Sequence, residues 1–396
     1  MQSLEMQENH VQSPSYWSAV FAMTLAVFAL IASEFMPVSL LTPIASDLKV
    51  TEGLAGQGIS ISAAFAVITS LTLTRLAGQL NRKTLLLVLT GIMAVSGLIV
   101  ALAHNYTLYM IGRALIGLVI GGFWSMSAAI AMRLVPIQDV PRALAIFNSG
   151  NALAMVIAAP LGSYLGSMLG WRGAFLSLVP IAIIVFIWQW ISLPSMPVSS
   201  EHTTKRASAL GLFRQNIVLL GMLAVSSFFM GQFALYTYVR PFLENVTHVN
   251  ISTLSMILFS IGIMGFIGTS SINIFLKRAF YPTLILIPVL MAVIAFMLIF
   301  GGTSALFVAV LLGLWGFLAT AAPVGWWSWL ARVLPQDAEA GGGLMVAVIQ
   351  LAIALGSTLG GLFLDQWGYQ SIFIFTTAVL LIAAYITLKT AQLSSK

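Results

Sequence analysis

Two charged side chains interrupt otherwise apolar stretches of this sequence. Glu34 is the one acidic residue within a predicted membrane crossing, and Arg113 is the one basic residue within such a crossing. A charge near the centre of a bilayer costs roughly 3 kcal/mol or more, so it is normally paired or functional. A lone buried carboxylate suits proton transfer, because burial favours its neutral form and a neighbouring guanidinium favours its charged form. The alternative is a static ion pair that locks the helices together.

The two charges are predicted to lie at the same depth. Glu34 precedes the end of the first apolar segment, at Leu41, by seven residues, and Arg113 follows the start of the fourth, at Tyr106, by seven. With a rise of 1.5 Å per residue, both lie about 10 Å below the same face. They meet if these two segments are neighbours, with Glu34 carrying the proton and Arg113 tuning it. Pro37, about one turn after Glu34, removes a backbone hydrogen bond and locally opens the helix.

Amide and aromatic side chains in other segments are candidates for lining a solute cavity. Amides in lipid need hydrogen-bonding partners, so they either bind a polar solute or join helices. The tryptophans near the end of the tenth segment either form an interfacial aromatic belt or offer a stacking surface for a flat ring. The predicted solute-binding residues are Trp124, Asn148, Asn151, Gln232, Tyr236, Trp326, Trp327 and Gln350.

The composition indicates a membrane protein with many crossings. The chain has 396 residues, of which 60% are hydrophobic and 7% charged, and its mean hydropathy is +1.02. Soluble domains carry about 25% charged residues. A soluble enzyme, a disordered regulator and a nucleic-acid-binding domain are therefore excluded, and the net charge of +6 is spread over short loops.

Twelve apolar segments predict an all-α membrane protein with twelve transmembrane helices in two pseudo-symmetric six-helix bundles, since a crossing needs roughly 20 apolar residues. The predicted organisation is a cytoplasmic tail (1–16), an N-terminal bundle (17–193), a cytoplasmic linker (194–215), a C-terminal bundle (216–388) and a cytoplasmic tail (389–396). The segments are 17–41, 54–74, 84–103, 106–131, 143–166, 174–193, 216–239, 253–276, 282–300, 305–330, 342–364 and 371–388.

The distribution of basic residues predicts that both termini are cytoplasmic. With the N-terminus inside, the inner loops hold 13 of the 17 basic residues, and Lys49, Arg172 and Arg240 fall in outer loops. Such an excess of Lys and Arg marks the cytoplasmic side. We expect a multi-pass protein of the bacterial inner membrane, surrounded by lipid and monomeric.

The two halves of the chain repeat each other. The matches recur after 198 or 199 residues, close to half the chain length, as expected of transporters built from duplicated bundles. The matched pairs are Arg133-Leu134-Val135-Pro136 with Arg332-Val333-Leu334-Pro335, Gln138-Asp139 with Gln336-Asp337, Leu161-Gly162 with Leu359-Gly360, and Gly170-Trp171 with Gly368-Tyr369.

The sequence contains no constellation typical of an enzyme or a cofactor site. It has no cysteine, its four histidines are dispersed, and it lacks the phosphate-binding loop of an ATP-driven pump. We therefore expect no catalytic residues, no metal and no cofactor.

Several motifs resemble the major facilitator superfamily, and within it the twelve-span drug:proton antiporters. Arg113-Ala-Leu-Ile-Gly117 resembles motif B of the fourth span. Ala159-Pro160-Leu161-Gly162 resembles the antiporter motif of the fifth span without its glycine before proline. Gly78-Gln79-Leu80-Asn81-Arg82-Lys83 resembles motif A without its usual Asp. The resemblance implies a cavity lined by spans one, four, seven and ten.

A more detailed resemblance is to the bacterial purine ribonucleoside efflux pumps, and it extends over nearly the whole chain from Trp17. It implies proton-coupled export of purine ribonucleosides or analogues, with a small solute and protons as partners and no nucleic acid. The matching stretches are Glu34-Phe-Met-Pro-Val-Ser-Leu-Leu-Thr-Pro43, Gly121-Gly-Phe-Trp-Ser125, Gly231-Gln-Phe-Ala234, Tyr238-Val-Arg-Pro241, Pro323-Val-Gly-Trp326 and Val346-Ala-Val-Ile-Gln-Leu-Ala352.

Two alternatives stay open. One is export of sugars or of diverse drugs by the same proton antiport, because such exporters share the Glu-Phe-x-Pro element at Glu34. The other is a membrane receptor that transports nothing. A solute-dependent proton flux separates the transporters from the receptor.

Overall fold

The computed structural model describes residues 16–76, 80–197, 209–334 and 338–394, and this part of the chain is helical without a β-strand. Short 3-10 turns lie at Ile137–Asp139 and Ala209–Arg214. The α-helices are α1 (Trp17–Leu48), α2 (Glu52–Leu76), α3 (Arg82–Ala101), α4 (Tyr106–Leu134), α5 (Val140–Leu176), α6 (Leu178–Ser192), α7 (Asn216–Tyr236), α8 (Val239–Asn245), α9 (Ile251–Arg278), α10 (Phe280–Gly301), α11 (Ala305–Val333), α12 (Ala338–Trp367) and α13 (Tyr369–Ser394).

Eleven helical stretches in the described residues are long and apolar enough to cross a membrane, where the sequence predicts twelve crossings. The difference lies in one continuous stretch of 51 residues, Arg142–Ser192, which contains the fifth and sixth predicted crossings. The final helix also runs beyond the predicted crossing 371–388, since α13 ends at Ser394.

A pair of glycines gives the sequence repeat a structural meaning. Gly170, within the long stretch, has φ +71° and ψ 166° and therefore interrupts the helical backbone. Gly368, 198 residues later, has φ +76° and separates α12 from α13. Side chains disfavour positive φ, whereas glycine adopts it readily. The repeated Gly-aromatic pair thus marks the same tight bend in each half.

Asparagine side chains cap the starts of α3, α4 and α9. Asn105 Oδ1 accepts a hydrogen bond from Leu108 N (2.8 Å) at the start of α4, so the short break after α3 is a capped turn. Asn81 Oδ1 accepts from Lys83 N (3.0 Å) at the start of α3. Asparagine is favoured at this position because its side chain satisfies a free N–H of the first turn.

Small residues allow equivalent helix pairs to pack closely in the two halves. A Cβ added at Gly117 of α4 would collide with the Ser62 carbonyl of α2, and one at Gly268 of α9 would collide with the Phe317 carbonyl of α11. Helix association in membranes relies on such close approach, because lipid offers little hydrophobic driving force between helices. We call α1–α6 the N-terminal half and α7–α13 the C-terminal half.

The end of the seventh predicted crossing differs from the prediction. The sequence predicts a crossing over 216–239 followed by an outer loop that holds Arg240. In the structure α7 ends at Tyr236, and the short helix α8 carries Arg240. Only 6% of the Arg240 surface is exposed, so it is a buried residue and not a loop residue.

Some predicted features lie outside the described residues. These are the N-terminal tail through residue 15, the central part of the linker (198–208), Gly78-Gln79 of the motif A resemblance, and Pro335-Gln336-Asp337 of the second repeat copy.

Gly117→Val tests the close packing of α4 on α2. The added side chain meets the backbone of α2, so we expect the free energy of unfolding to fall by about 1–3 kcal/mol. Thermal melting in detergent measures the loss. Gly343→Ala is the matched control, because a Cβ at Gly343 has nothing within 4 Å. Equal melting temperatures for the two variants would contradict the packing argument.

Candidate functional site

The central helix α1 contains two prolines that leave backbone carbonyls without their usual partners. Pro37 and Pro43 lie inside α1 and have no N–H, so the carbonyls of Ser33 and Ser39, four residues earlier, lose their helical hydrogen bonds. Both serines are buried, with exposures of 4% and 0%. An unsatisfied carbonyl in a water-free interior is costly, and another group has to supply the donor.

Arg113 supplies the donor for the first of these carbonyls. Its Nη1 donates to the Ser33 carbonyl (2.7 Å), and its Nη2 donates to the Glu34 carbonyl (3.0 Å). The side chain is fully buried, and it also donates to the Gly58 carbonyl (3.0 Å) and to Ser62 Oγ (3.1 Å) on α2. Arg113 therefore joins three helices of the N-terminal half.

Glu34 and Arg113 are neighbours, as the depth argument requires, but their contact differs from an ion pair. The guanidinium binds the backbone of Glu34, and the ion pairs described for the structured residues are those of Arg172 with Asp47 and of Arg240 with Glu244. The spacing of the charges predicts their proximity. It does not reveal that the guanidinium is directed to a proline-freed carbonyl.

Arg240 supplies the donor for the second carbonyl, and it comes from the opposite half. Its Nη1 donates to the Ser39 carbonyl. Its Nε (2.9 Å) and Nη2 (2.8 Å) hold Glu244 Oε1, one turn along α8. Sequence reasoning missed this residue. The available signal was the second proline of α1, which implies a second buried carbonyl in need of a donor.

The carboxylate of Glu34 contacts a side chain across the two halves. Gln350 of α12 donates from Nε2 to Glu34 Oε1 (3.4 Å), and the exposures of the two residues are 6% and 3%. The other amide atom, Gln350 Oε1, is buried without a hydrogen-bonding partner. Gln350 was predicted as a solute contact, and the structure places it against the predicted proton carrier.

Gln232 and Tyr236 of α7 lie near the level of Glu34. Phe233, between them in sequence, stacks on Phe35 of α1 with ring centroids 5.7 Å apart. The Tyr236 ring packs edge-on against Phe233 at 6.0 Å. Gln232 is 6% exposed, and its Oε1 is a second buried amide oxygen without a partner.

Two other predicted residues, Asn148 and Asn151, lie nearer the opposite end of the bundle. Thr24 Oγ1 donates to the Ile146 carbonyl (3.3 Å), which aligns the start of α5 with Thr24 on α1. By helical rise, Asn148 and Asn151 then lie about 12 Å and 7.5 Å short of Glu34 along the axis. Asn148 is exposed and donates to the Leu144 carbonyl of its own helix (2.9 Å).

The tryptophan candidates also lie away from Glu34. Trp124 follows Arg113 by about 16 Å along α4 and packs edge-on against Phe147, with ring centroids 6.3 Å apart. Trp326 is buried and packs edge-on against Trp329 at 5.7 Å. Trp327 is 42% exposed. The predicted residues therefore occupy two levels and do not form one compact site.

The two halves are joined at the end where α1 finishes and α2 begins, which the basic residues predict to be the outer end. Asp365 of α12 accepts hydrogen bonds from Thr51 Oγ1 (2.6 Å) and Gly53 N (3.2 Å). Tyr369 and Asn245 both donate to Glu52, at 2.9 and 3.2 Å. Glu52 and Asp365 both lie just outside the predicted crossings 54–74 and 342–364, and neither was predicted as a site residue.

This outer network has a clear limit in depth. Thr358 Oγ1 donates to Gln57 Oε1 (3.0 Å), and the Glu34–Gln350 contact lies deeper still. Every hydrogen bond described between the halves lies at or beyond the level of Glu34 toward the predicted outer end.

The chemistry available at this site is proton binding and hydrogen bonding. The described residues contain no group of three or more His, Asp or Glu side chains that could hold a metal ion. The site offers one buried carboxylate, two unpartnered amide oxygens and a guanidinium engaged with the backbone.

Comparison with known proteins gives two kinds of relative. The chain is 62% identical over 388 residues to a protein of Pseudomonas aeruginosa named transcription regulatory protein OpdE, covering 97% of this chain and 96% of that one. It is 40% identical over 370 residues to the purine ribonucleoside efflux pump NepI of Salmonella typhimurium, covering 93% of each chain.

Two solved structures share the fold at low sequence identity. One is a mutant of the nucleoside transporter NupG, with a TM-score of 0.79, 12% identity, and coverage of 94% of this chain and 98% of that chain. The other is a bacterial homologue of the human lysosomal transporter Spinster in an inward-facing, unoccupied conformation, with a TM-score of 0.77 and 16% identity, covering 95% and 97% of the two chains.

The family model described as Major Facilitator Superfamily matches residues 23–342. This range is most of the chain, and it includes Glu34, Arg113 and the end of the N-terminal half. The resemblance that the sequence motifs suggested is confirmed by this match and by the full-length relatives. The chain belongs to the Major Facilitator Superfamily.

Proposed function

We propose that the protein is a proton-coupled antiporter that exports small polar solutes, with purine ribonucleosides or their analogues as the favoured class. The observation that carries this proposal is the buried Glu34 carboxylate, which faces the opposite half of the protein through Gln350. A carboxylate at such a site can gain and lose a proton as the halves move, because its surroundings change with them.

The solute class rests on the relatives and on the polar groups of the site. The Salmonella relatives named for purine ribonucleoside efflux are 40% identical over nearly the whole chain. The unpartnered oxygens of Gln232 and Gln350 suit a solute that offers N–H or O–H donors. Tyr236 and Trp124 add aromatic surface, which suits the flat ring of a purine.

The transport cycle that we propose is rocker-switch alternating access between two six-helix bundles. We infer that Arg142–Ser192 crosses twice, because the bend at Gly170 matches the bend at Gly368, and this gives twelve crossings in all. The inter-half hydrogen bonds at the predicted outer end support a state that is closed outward and open inward. Trp124, Asn148, Asn151, Trp326 and Trp327, nearer the inner end, would then contact the solute as it enters.

The remaining assignments follow from the same proposal. We place the protein in the bacterial inner membrane as a monomer, with both termini in the cytoplasm. Export of sugars or of diverse drugs by the same proton exchange is the alternative. Uptake of radiolabelled inosine, arabinose and a lipophilic cation into inverted vesicles separates these classes.

A second candidate function comes from the 62% identical relative, which is named a transcription regulatory protein. If this chain also influences transcription, an exporter would do so through the internal concentration of an inducing solute. In that case a transport-inactive variant loses the regulatory effect, whereas a direct regulator keeps it.

Glu34→Gln tests the proton-carrying role. The amide preserves size and hydrogen bonding but cannot release a proton, so solute uptake driven by an imposed pH gradient in proteoliposomes should fall to the level of empty vesicles. Solute exchange without a gradient should persist. Asp47→Asn, an exposed acid on the same helix, is the control and should transport normally. Gradient-driven uptake by Glu34→Gln would refute the assignment.

A cysteine pair tests closure at the predicted outer end. The chain has no native cysteine, and the side chains of Thr51 and Asp365 meet at 2.6 Å. Oxidation of the double variant Thr51→Cys/Asp365→Cys should link the halves and arrest transport, and a reductant should restore it. The control pair Asn81→Cys/Ser195→Cys, at 2.7 Å, joins the start of α3 to the segment directly after α6 without linking the two halves, and it should leave transport intact. Undiminished transport by the linked protein would contradict alternating access at this end.

A further inference from the structure

Glu34 and Gln350 form a buried contact that joins the two halves at the level of the predicted proton carrier. Gln350 Nε2 donates to Glu34 Oε1 at 3.4 Å, and more than nine-tenths of each residue is buried. The contact links α1 to α12. A change in the protonation of Glu34 therefore acts directly on a contact between the moving bodies.

The hydrogen bond from Gln350 is the one described for the Glu34 carboxylate, because the other polar groups nearby are bonded elsewhere. Arg113 of α4 is the charged neighbour, and the hydrogen bonds described for it go to the Ser33, Glu34 and Gly58 carbonyls and to Ser62 Oγ. Arg240 of α8 donates to the Ser39 carbonyl, about 7.5 Å farther along α1, and its ion-pair partner is Glu244.

The helices that pack beside this stretch of α1 contribute uncharged groups. α2 brings the Ser62 hydroxyl, α5 brings Gly162 against Met36, and α7 brings Phe233 against Phe35. The polar groups that influence the protonation of Glu34 are thus the Arg113 guanidinium and the Gln350 amide.

The side-chain amide of Gln350 is hydrogen-bonded through its NH₂ group and not through its oxygen. Its Oε1 is buried and has no hydrogen-bonding partner in the described structure. A buried acceptor without a donor is unfavourable, and the same holds for Gln232 Oε1. A bound solute that offers N–H or O–H groups would supply the missing donor at Gln350.

We propose that Gln350 couples proton to solute, because the two compete for its amide oxygen. An ionised carboxylate only accepts hydrogen bonds, so it holds the amide NH₂ and leaves Oε1 for a solute donor. A protonated Glu34 has an O–H to donate, and it claims Oε1 through rotation of the amide. The NH₂ group then faces the solute position and repels a donor. This inference rests on the proposed antiport.

The mechanism favours a class of solute and accounts for exchange at one site. Solutes that bind must present a hydrogen-bond donor to Gln350, as the ring N–H or amino group of a purine and the hydroxyls of a ribose do. Arrival of a proton at Glu34 displaces the donor, and arrival of the solute expels the proton. Gln350 is a positioning residue for the proton and a contact for the solute.

The test is to count protons released when the purified protein binds tritiated inosine. In weakly buffered detergent solution, at a pH below the titration of Glu34, a pH-sensitive dye should report close to one proton released per inosine bound by the wild type. The apparent Kd for inosine should rise by about tenfold for each pH unit below the titration of Glu34. Gln350→Met should bind inosine more weakly, release almost no proton and lose the pH dependence of Kd.

Two further variants keep the test decisive. Gln350→Leu is a second substitution without an amide, to be used if the methionine variant melts at a much lower temperature than the wild type. Gln57→Met is the matched control, because Gln57 also bonds across the halves, to Thr358, but lies away from Glu34. It should keep the wild-type proton release and pH dependence.

The outcomes separate the inference from the function on which it rests. If the wild type binds no inosine, or binds it without releasing a proton, the proposed function fails and the inference fails with it. If the wild type releases a proton and a folded Gln350→Met or Gln350→Leu variant releases the same amount, with the same pH dependence of Kd, the inference alone is overturned.

Discussion

A helix that crosses a membrane has to satisfy every backbone carbonyl without water, and α1 cannot do so from its own backbone at two points. Pro37 and Pro43 each remove a donor from the helical ladder, and an arginine replaces each one. Arginine suits this task because it stays charged and offers several N–H donors in a fixed plane. The geometry of the site follows, since Arg113 fixes α1 against α2 and α4 and so determines where Glu34 lies.

The two arginines come from different halves of the protein. Arg113 belongs to the same half as α1, so in the proposed rocker-switch cycle its hydrogen bonds persist while the halves move. Arg240 reaches Ser39 from the C-terminal half and belongs to the set of inter-half bonds at the predicted outer end. In the proposed cycle α1 stays bound at Ser33 and is released at Ser39, and Glu34 lies between the two points.

Features that repeat along the chain or stand out from an apolar background could be predicted from the sequence. Apolar segment lengths predicted the helices, the lone charges predicted the meeting of Glu34 and Arg113, and the repeated Gly-aromatic pair predicted the duplication of the two halves. The pairing of Glu34 with Gln350 could not be predicted, because it depends on how two separate halves meet. Arg240 was taken for a loop residue because the turn after α7 could not be foreseen from hydropathy.

The carbonyl of Ser39 has a consequence for the way the outer end opens. If the outer end opens as proposed and Arg240 leaves Ser39, Pro43 prevents α1 from supplying a donor from its own backbone, and water is the donor that can enter the gap. A gap that opened between the halves without water would leave the Ser39 carbonyl unpaired in a medium of low polarity, which is unfavourable. Separation and wetting at this level are therefore expected to occur together, which favours two discrete positions of the halves over a continuous range.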